Sequence, residues 1–208
     1  MKFNSREALR YLGAKAGDKE AEILVDTVYL KLRNEVQAQH IILHHKCKVD
    51  YDGITLDSGI RFTSRDLARH LSGCEEVLLL GATLGSKVDR AIRRLALTSV
   101  AEGAAAQAVA ASLIESYCDE VQAEINTPNL SQRPRFSPGY GDWALEEQKI
   151  MFQALDCARK IGLTLTDGCM MAPTKSVTAV IGLSTETKCV WNKCMTCGNV
   201  NCPYREEN

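Results

Sequence analysis

Two groups of residues in this 208-residue chain have the types and spacing to do chemistry. One is Cys189, Cys194, Cys197 and Cys202, a C-x4-C-x2-C-x4-C run near the C-terminus. Four thiolates so close in the chain can satisfy a tetrahedral Zn(II) or hold an iron–sulfur cluster. The first three share the spacing of plant-type ferredoxins, whose last cysteine lies far away, and Cys202-Pro203 is similar to the end of bacterial cluster motifs. The other group is Arg135-Phe136-Ser137-Pro138-Gly139-Tyr140. Its arginine offers a planar five-donor fork suited to a carboxylate. Gly139 lets the backbone approach a ligand closely, and Tyr140 supplies an aromatic face with a hydroxyl. By residue type alone, this is a turn carrying an arginine.

The elements that must position these groups follow from periodicity and caps. Asn4 or Ser5 caps a short helix ending at Gly13, and Asp18 opens a longer one through Ala21, Leu24, Val28, Leu32 and Val36. The runs Ile41 to Val49 and Ile54 to Leu56 read as strands, joined through Asp52-Gly53, a pair that supplies positive φ in tight hairpins. Thr63 or Ser64 caps a helix closed by Gly73, and Val77 to Leu80 is a buried strand. One long helical region is expected from about Ser86 to Ile125, alanine-rich for close packing. Residues 126–142, with three of the five prolines, form a loop crossing the surface. A helix over about Leu145–Ile161 and strands at 163–165 and 176–183, turned at Pro173, complete the chain. Helices and strands do not alternate strictly, so the expected class is α+β: an antiparallel or mixed sheet flanked by long helices. The expected division is one domain over 1–185, with its ligand loop at 125–142, and a cysteine-rich tail over 186–208.

Several features carry less. Cys47, Cys74, Cys118, Cys157 and Cys169 are scattered singly and read as core residues. His40 and His44 share a strand face beside His45, without a carboxylate or cysteine at metal-binding spacing. The turn Leu80 to Gly85 follows a strand and precedes a helix, but lacks the third glycine and the Gly-Lys-Ser/Thr ending of a phosphate loop. Arg90, Arg93 and Arg94 form a local basic patch, read as a solvated helix face. With 25 basic and 26 acidic residues there is no footprint for nucleic acid. No apolar run approaches the roughly 20 residues that cross a bilayer, and the first residues lack a signal-peptide core. The expected setting is cytoplasmic, where nine cysteines point to metal rather than disulfides.

Arg135-x-x-x-Gly139-Tyr140 resembles the S-adenosylmethionine-binding signature of the activation domain of vitamin B12-dependent methionine synthase. In that family a long helix precedes the signature, and a helix, a Leu-Thr-Glu-Ser-like strand and a Pro-x-x-Ser-Val-Ser strand follow it. Here Leu165-Thr166-Asp167-Gly168 and Pro173-Thr174-Lys175-Ser176-Val177 stand in that order and spacing. The resemblance covers residues 135–183, and the preceding helix more weakly.

The resemblance implies that the chain binds S-adenosylmethionine and supports reductive methylation of oxidised Co(II) cobalamin in a partner methionine synthase. It would thus be a component of a cobalamin-dependent methyltransferase system. Arg135 would hold the donor's carboxylate, Gly139 would pass close to it and Tyr140 would line the site. Glu115, on the preceding helix, is a weaker candidate for the donor's positive groups. Partners so implied are the corrinoid-carrying enzyme and an electron donor; the cysteine tail, read from its own spacing, would relay the electron through a [4Fe-4S] cluster or be stapled by zinc. The chain lacks Asp-x-His-x-x-Gly, a cobalt-ligand motif of many corrinoid proteins, so it is not expected to carry cobalamin itself. Where the fused domain has a Pro-Ala-Cys-Pro run and a histidine, this chain reads Gly141-Asp142-Trp143-Ala144. The alternative is a metal-stapled docking module for another corrinoid methyltransferase, without donor binding.

Overall fold

Helix α1 (Ser5–Leu12) starts where the Asn4 side chain accepts the Glu7 N–H, and stops at Gly13 in the left-handed region, φ 74°. Helix α2 (Lys19–Leu32) is capped by Asp18 through the Ala21 N–H. It buries Val25, Val28 and Leu32, then tightens into a 3-10 turn over Arg33–Glu35, so the helix ends before Val36. The structure, a computed structural model, describes residues 1–15 and 17–185. Cys189, Cys194, Cys197 and Cys202 therefore lie outside the described residues.

Strands β1 (Gln39–Val49) and β2 (Gly53–Leu56) pair antiparallel with Val49 opposite Ile54, as the two runs joined at Asp52-Gly53 suggested. The reason for glycine at the turn differs from expectation. Gly53 has no positive φ; instead, a Cβ there would collide with the Phe62 carbonyl oxygen. Phe62 lies on β3 (Arg61–Thr63), a short strand whose three residues are too few for the alternating pattern to reveal. Helix α3 (Arg65–His70) follows, with Ser64 accepting the Leu67 N–H.

Strand β4 (Glu76–Thr83) runs further than its aliphatic stretch. The long helical region is two helices, α4 (Ser86–Thr98) and α5 (Val100–Glu124). The break has a local cause: the Thr98 hydroxyl bonds back to the Arg94 and Leu95 carbonyls, and Ser99 Oγ accepts the Glu102 N–H, capping a new helix. The small residues then let the two helices close up. At Gly103 a Cβ would stand 2.8 Å from Ala96 Cα.

The segment after α5 does more than cross the surface. Strand β5 (Ser131–Gln132) pairs with β8 (Ser176–Ser184), and Phe136 bridges to Val180. The helix expected over Leu145–Ile161 is a 3-10 turn, α6 (Gln148–Leu155) and α7 (Cys157–Ile161), parted at Asp156 with φ 53°. Strands β6 (Thr164–Leu165) and β7 (Met171–Ala172) form a small hairpin before the cis Ala172–Pro173 bond.

The main sheet is six-stranded, in the order β3-β2-β1-β4-β8-β5, and the class is α+β. The chain forms two compact units interleaved in sequence. The first comprises Met1–Leu43, Leu80–Asn126 and Gln148–Thr178, where α5 packs on α1, α2 and α4 around Val25, Val28, Val109 and Leu113. The second comprises His44–Leu79, Thr127–Glu147 and the segment from Ala179, with a core of Phe62, Leu67, Leu71, Phe136 and Trp143. Among the described residues, no helix is long and apolar enough to cross a membrane.

Candidate functional site

The Arg135–Tyr140 bend belongs to the second unit, where its backbone is fixed at both ends. Upstream, the Arg133 N–H donates to the Gly182 carbonyl at 2.8 Å, and Phe136 and Val180 exchange two backbone bonds of 3.0 and 2.8 Å. Arg135 sits half-buried between these anchors. Arg133, two residues before it, has a structural place: Nη2 donates to the Ser72 carbonyl at 2.7 Å and Nε lies 3.3 Å from Cys74 Sγ.

Ser137-Pro138-Gly139-Tyr140 is a type II turn, with the Tyr140 N–H on the Ser137 carbonyl at 3.0 Å and Gly139 at φ 91°. Proline presets the second position of such a turn, and the third needs a positive φ. The turn thus accounts for Gly139 on conformational grounds alone. A Cβ there would have ordinary room, with Leu145 Cδ1 at 3.4 Å. Tyr140 is 43% exposed and its ring meets Phe136 edge-on, centroids 5.8 Å apart.

Beneath the bend, aromatic rings form a continuous support. Phe136 stacks on Trp143 at 6.1 Å, Trp143 meets the Phe62 edge at 5.4 Å, and His70 packs on Phe136 at 5.1 Å. Trp143 is only 1% exposed. Such ring pairs add about 0.5–1.5 kcal/mol each beyond area burial. His70, buried in the same cluster, donates from Nε2 to the Pro134 carbonyl at 2.8 Å, one residue before Arg135. A carbonyl only accepts, so the Nε2 nitrogen carries the proton.

Two acids complete the frame. Asp142 accepts from the Ser64 hydroxyl and from the Arg65 and Asp66 N–H groups, both at 3.1 Å, at the N-terminus of α3. The Ser64 bond, followed by these amides, holds the Asp142 carboxyl below the usual carboxylate range. Glu147 accepts the Trp143 Nε1–H at 2.7 Å and the Thr63 N–H at 3.0 Å. Gly141, φ 54°, passes so close to Asp66 that a side chain would strike its carboxylate. Sequence reasoning missed His70, Asp142 and Glu147 as supports of the bend. Only Gly-Asp ahead of a tryptophan hinted at them, because their partners lie some 60–85 residues away.

The remaining candidates divide. Arg135, Gly139 and Tyr140 share one bend; Glu115 stands half-buried on α5, in the first unit. There, burial first, then Glu7 and Glu115, pushes the Tyr11 hydroxyl up to about 12. Lys175 and Ser176, which follow the family's strand motif, are also in the first unit. Lys175 Nζ lies 3.3 Å from the Gln107 carbonyl, and burial lowers its pKa. Ser176 Oγ donates to the Pro173 carbonyl at 2.7 Å, and lies 2.8 Å from Thr83 Oγ1. The three strand histidines make separate contacts. His40 meets the Tyr117 hydroxyl at 2.8 Å, His44 pairs with Glu76 at 2.6 Å and His45 with Asp57 at 2.7 Å. Among the described residues, no group of three or more His, Cys, Asp or Glu could hold a metal ion.

An α+β fold with a six-stranded sheet, and in its second unit an arginine–tyrosine bend on a braced aromatic bed, is the class that fold and site define. Residues 105–199, a stretch that includes the bend, match the family "Vitamin B12 dependent methionine synthase, activation domain". Among solved structures, the chain is similar to the "Crystal Structure of the MetH Reactivation Domain bound to AdoHcy". That similarity has a TM-score of 0.61 at 15% identity and covers 86% of this chain and 70% of the other. It shows the fold. No curated protein sequence matches.

Proposed function

We propose that this chain binds S-adenosylmethionine at the Arg135–Tyr140 bend and supports reductive methylation of oxidised cobalamin in a partner B12-dependent methionine synthase. The observation that carries the reading is the bend itself, the family's signature held rigid within the matched stretch. Arg135 takes the donor's carboxylate as a charge-assisted, bidentate partner. Gly139 leaves the turn free of a side chain, and the exposed Tyr140 ring lines the site. Glu115 remains the candidate for the donor's cationic groups. The MetH reactivation domain of similar fold is bound to AdoHcy, which supports an adenosyl-type donor here. The partner's cobalamin supplies the metal that accepts the methyl group. The four tail thiolates are suited to a [4Fe-4S] cluster that passes an electron, with structural zinc the alternative.

Calorimetric titration of S-adenosylmethionine into wild type and Arg135→Ala tests the donor site. Loss of the charge-assisted bond is expected to cost about 1.5–3 kcal/mol, roughly 10- to 150-fold in affinity. Equal binding by both proteins removes Arg135 from the site. A wild type that does not bind, yet docks on a corrinoid protein, leaves the docking-module reading. Methyl transfer to a purified Co(II) methionine synthase, with and without this chain, tests the partner.

A further inference from the structure

The first unit contains a cleft of about 770 Å³, lined by none of Arg135, Gly139, Tyr140 or Glu115. Its walls come from residues 37–39 ahead of β1, from Gly85 and the first two turns of α4, and from the Ile161-Gly162 and Ala172-Pro173 pairs. That volume falls in the range of small-molecule sites, about 300–1,000 Å³.

The chemistry of the lining selects the ligand. Arg90 and Arg93 lie one turn apart on α4, on one face of the helix. Neither makes a hydrogen bond or ion pair with another described residue. Arg94, next along the same helix, pairs instead with Glu35 at 2.7 Å. Asp89, the cleft's single acid, is already engaged. Its two oxygens accept the Thr174 hydroxyl and the Thr174 N–H, each at 2.8 Å. The cleft is therefore net cationic, and a concave wall concentrates that field. Two guanidinium forks on one face can share the several oxygens of a tetrahedral dianion. Gln37, Gln39 and Ser86 add neutral polar groups, while Ile161, Ala172 and Pro173 offer an apolar wall to the rest of the ligand.

We propose that this cleft binds a phosphorylated small molecule of nucleotide size, with Arg90 and Arg93 taking its phosphate. Two sequence features that each read as inert, the arginine patch and the glycine turn after β4, meet at this one concavity. The proposal is independent of the donor bend, because none of the bend's residues lines the cleft.

The test is titration of pyrophosphate and ATP into the full chain at low salt, by calorimetry and by amide NMR, with malonate as a dicarboxylate control. Wild type is compared with the double variant Arg90→Ala/Arg93→Ala and with Arg94→Ala. Pyrophosphate and ATP are expected to bind wild type, to lose at least tenfold in affinity in the double variant and to weaken as salt rises. Arg94→Ala should stay within twofold, and amide shifts should centre on Gly85, Ser86 and residues 37–39. No binding to wild type at millimolar ligand overturns the proposal. So does equal binding by the double variant, an equal loss in Arg94→Ala, malonate binding as tight as pyrophosphate, or shifts centred elsewhere. All three arginines are exposed, so the variants should keep the wild-type fold, which circular dichroism checks.

Discussion

Replacing Asp142 by alanine should loosen the bend without touching it. Its carboxylate accepts three hydrogen bonds, from Ser64 Oγ and from the Arg65 and Asp66 amides. The two amides open α3, where a negative charge also meets the positive end of the helix dipole. Because Asp142 is exposed, the orphaned donors regain water. The cost is then that of a lost cap, about 1–2 kcal/mol, rather than of a buried unsatisfied group. For a chain of this size that lowers Tm by roughly 2–8 °C. The pH dependence follows from linkage. The folded carboxyl titrates below its unfolded value, so its contribution is present above about pH 4 and is lost as pH falls through the lower, folded pKa. Thermal unfolding followed by circular dichroism at pH 7 should show the full gap between wild type and variant, narrowing below pH 4. A gap that is absent at pH 7, or equal at pH 7 and pH 3, would refute the reasoning.

Further expectations address the same frame. Gly139→Ala forces an alanine to φ near 91° with adequate room, costing about 1–2 kcal/mol, whereas Gly141→Ala adds a collision with Asp66 and should unfold at lower urea. Equal midpoints would show that backbone strain alone matters at both glycines. His70→Leu keeps the packing but removes the donor to the Pro134 carbonyl, so S-adenosylmethionine affinity should fall about 2- to 12-fold, with His70→Gln restoring part of it. An unchanged affinity in His70→Leu, where Arg135→Ala loses binding, would exclude that hydrogen bond as a positioning device. Anaerobically purified protein should contain iron and sulfide in the cluster case, or zinc alone in the other. Cys194→Ser/Cys197→Ser should lose whichever metal is present, and a metal-free wild type would remove both readings of the tail.

Local chemistry made much of this protein readable from its residues. Asn4, Asp18 and Ser64 cap helices because their side chains satisfy amides three residues on, and Gly13 ends α1 because only a left-handed residue fits there. The paired strands β1 and β2 showed as strand-like runs parted by Asp52-Gly53, and the Arg135–Tyr140 bend showed by its motif. The breaks at Ser99 and Asp156 were harder to read. Each lies inside a longer helical pattern; the hydroxyls of Thr98 and Ser99 set the first, and a left-handed residue sets the second.

Tertiary structure decided what holds the bend and where the cleft lies. Asp142 meets α3 across 76 residues, Glu147 meets β3 across 84 and His70 reaches Pro134 across 64. Arg90 on α4 and Gly162, just past α7, line one concavity from distant parts of the sequence. A sequence encodes such pairings only through the packing of the whole chain, because no periodicity links residues so distant. Caps, turns and alternation act over a few residues and are written locally. The partners that make a loop rigid or a surface concave exist only once the chain has folded.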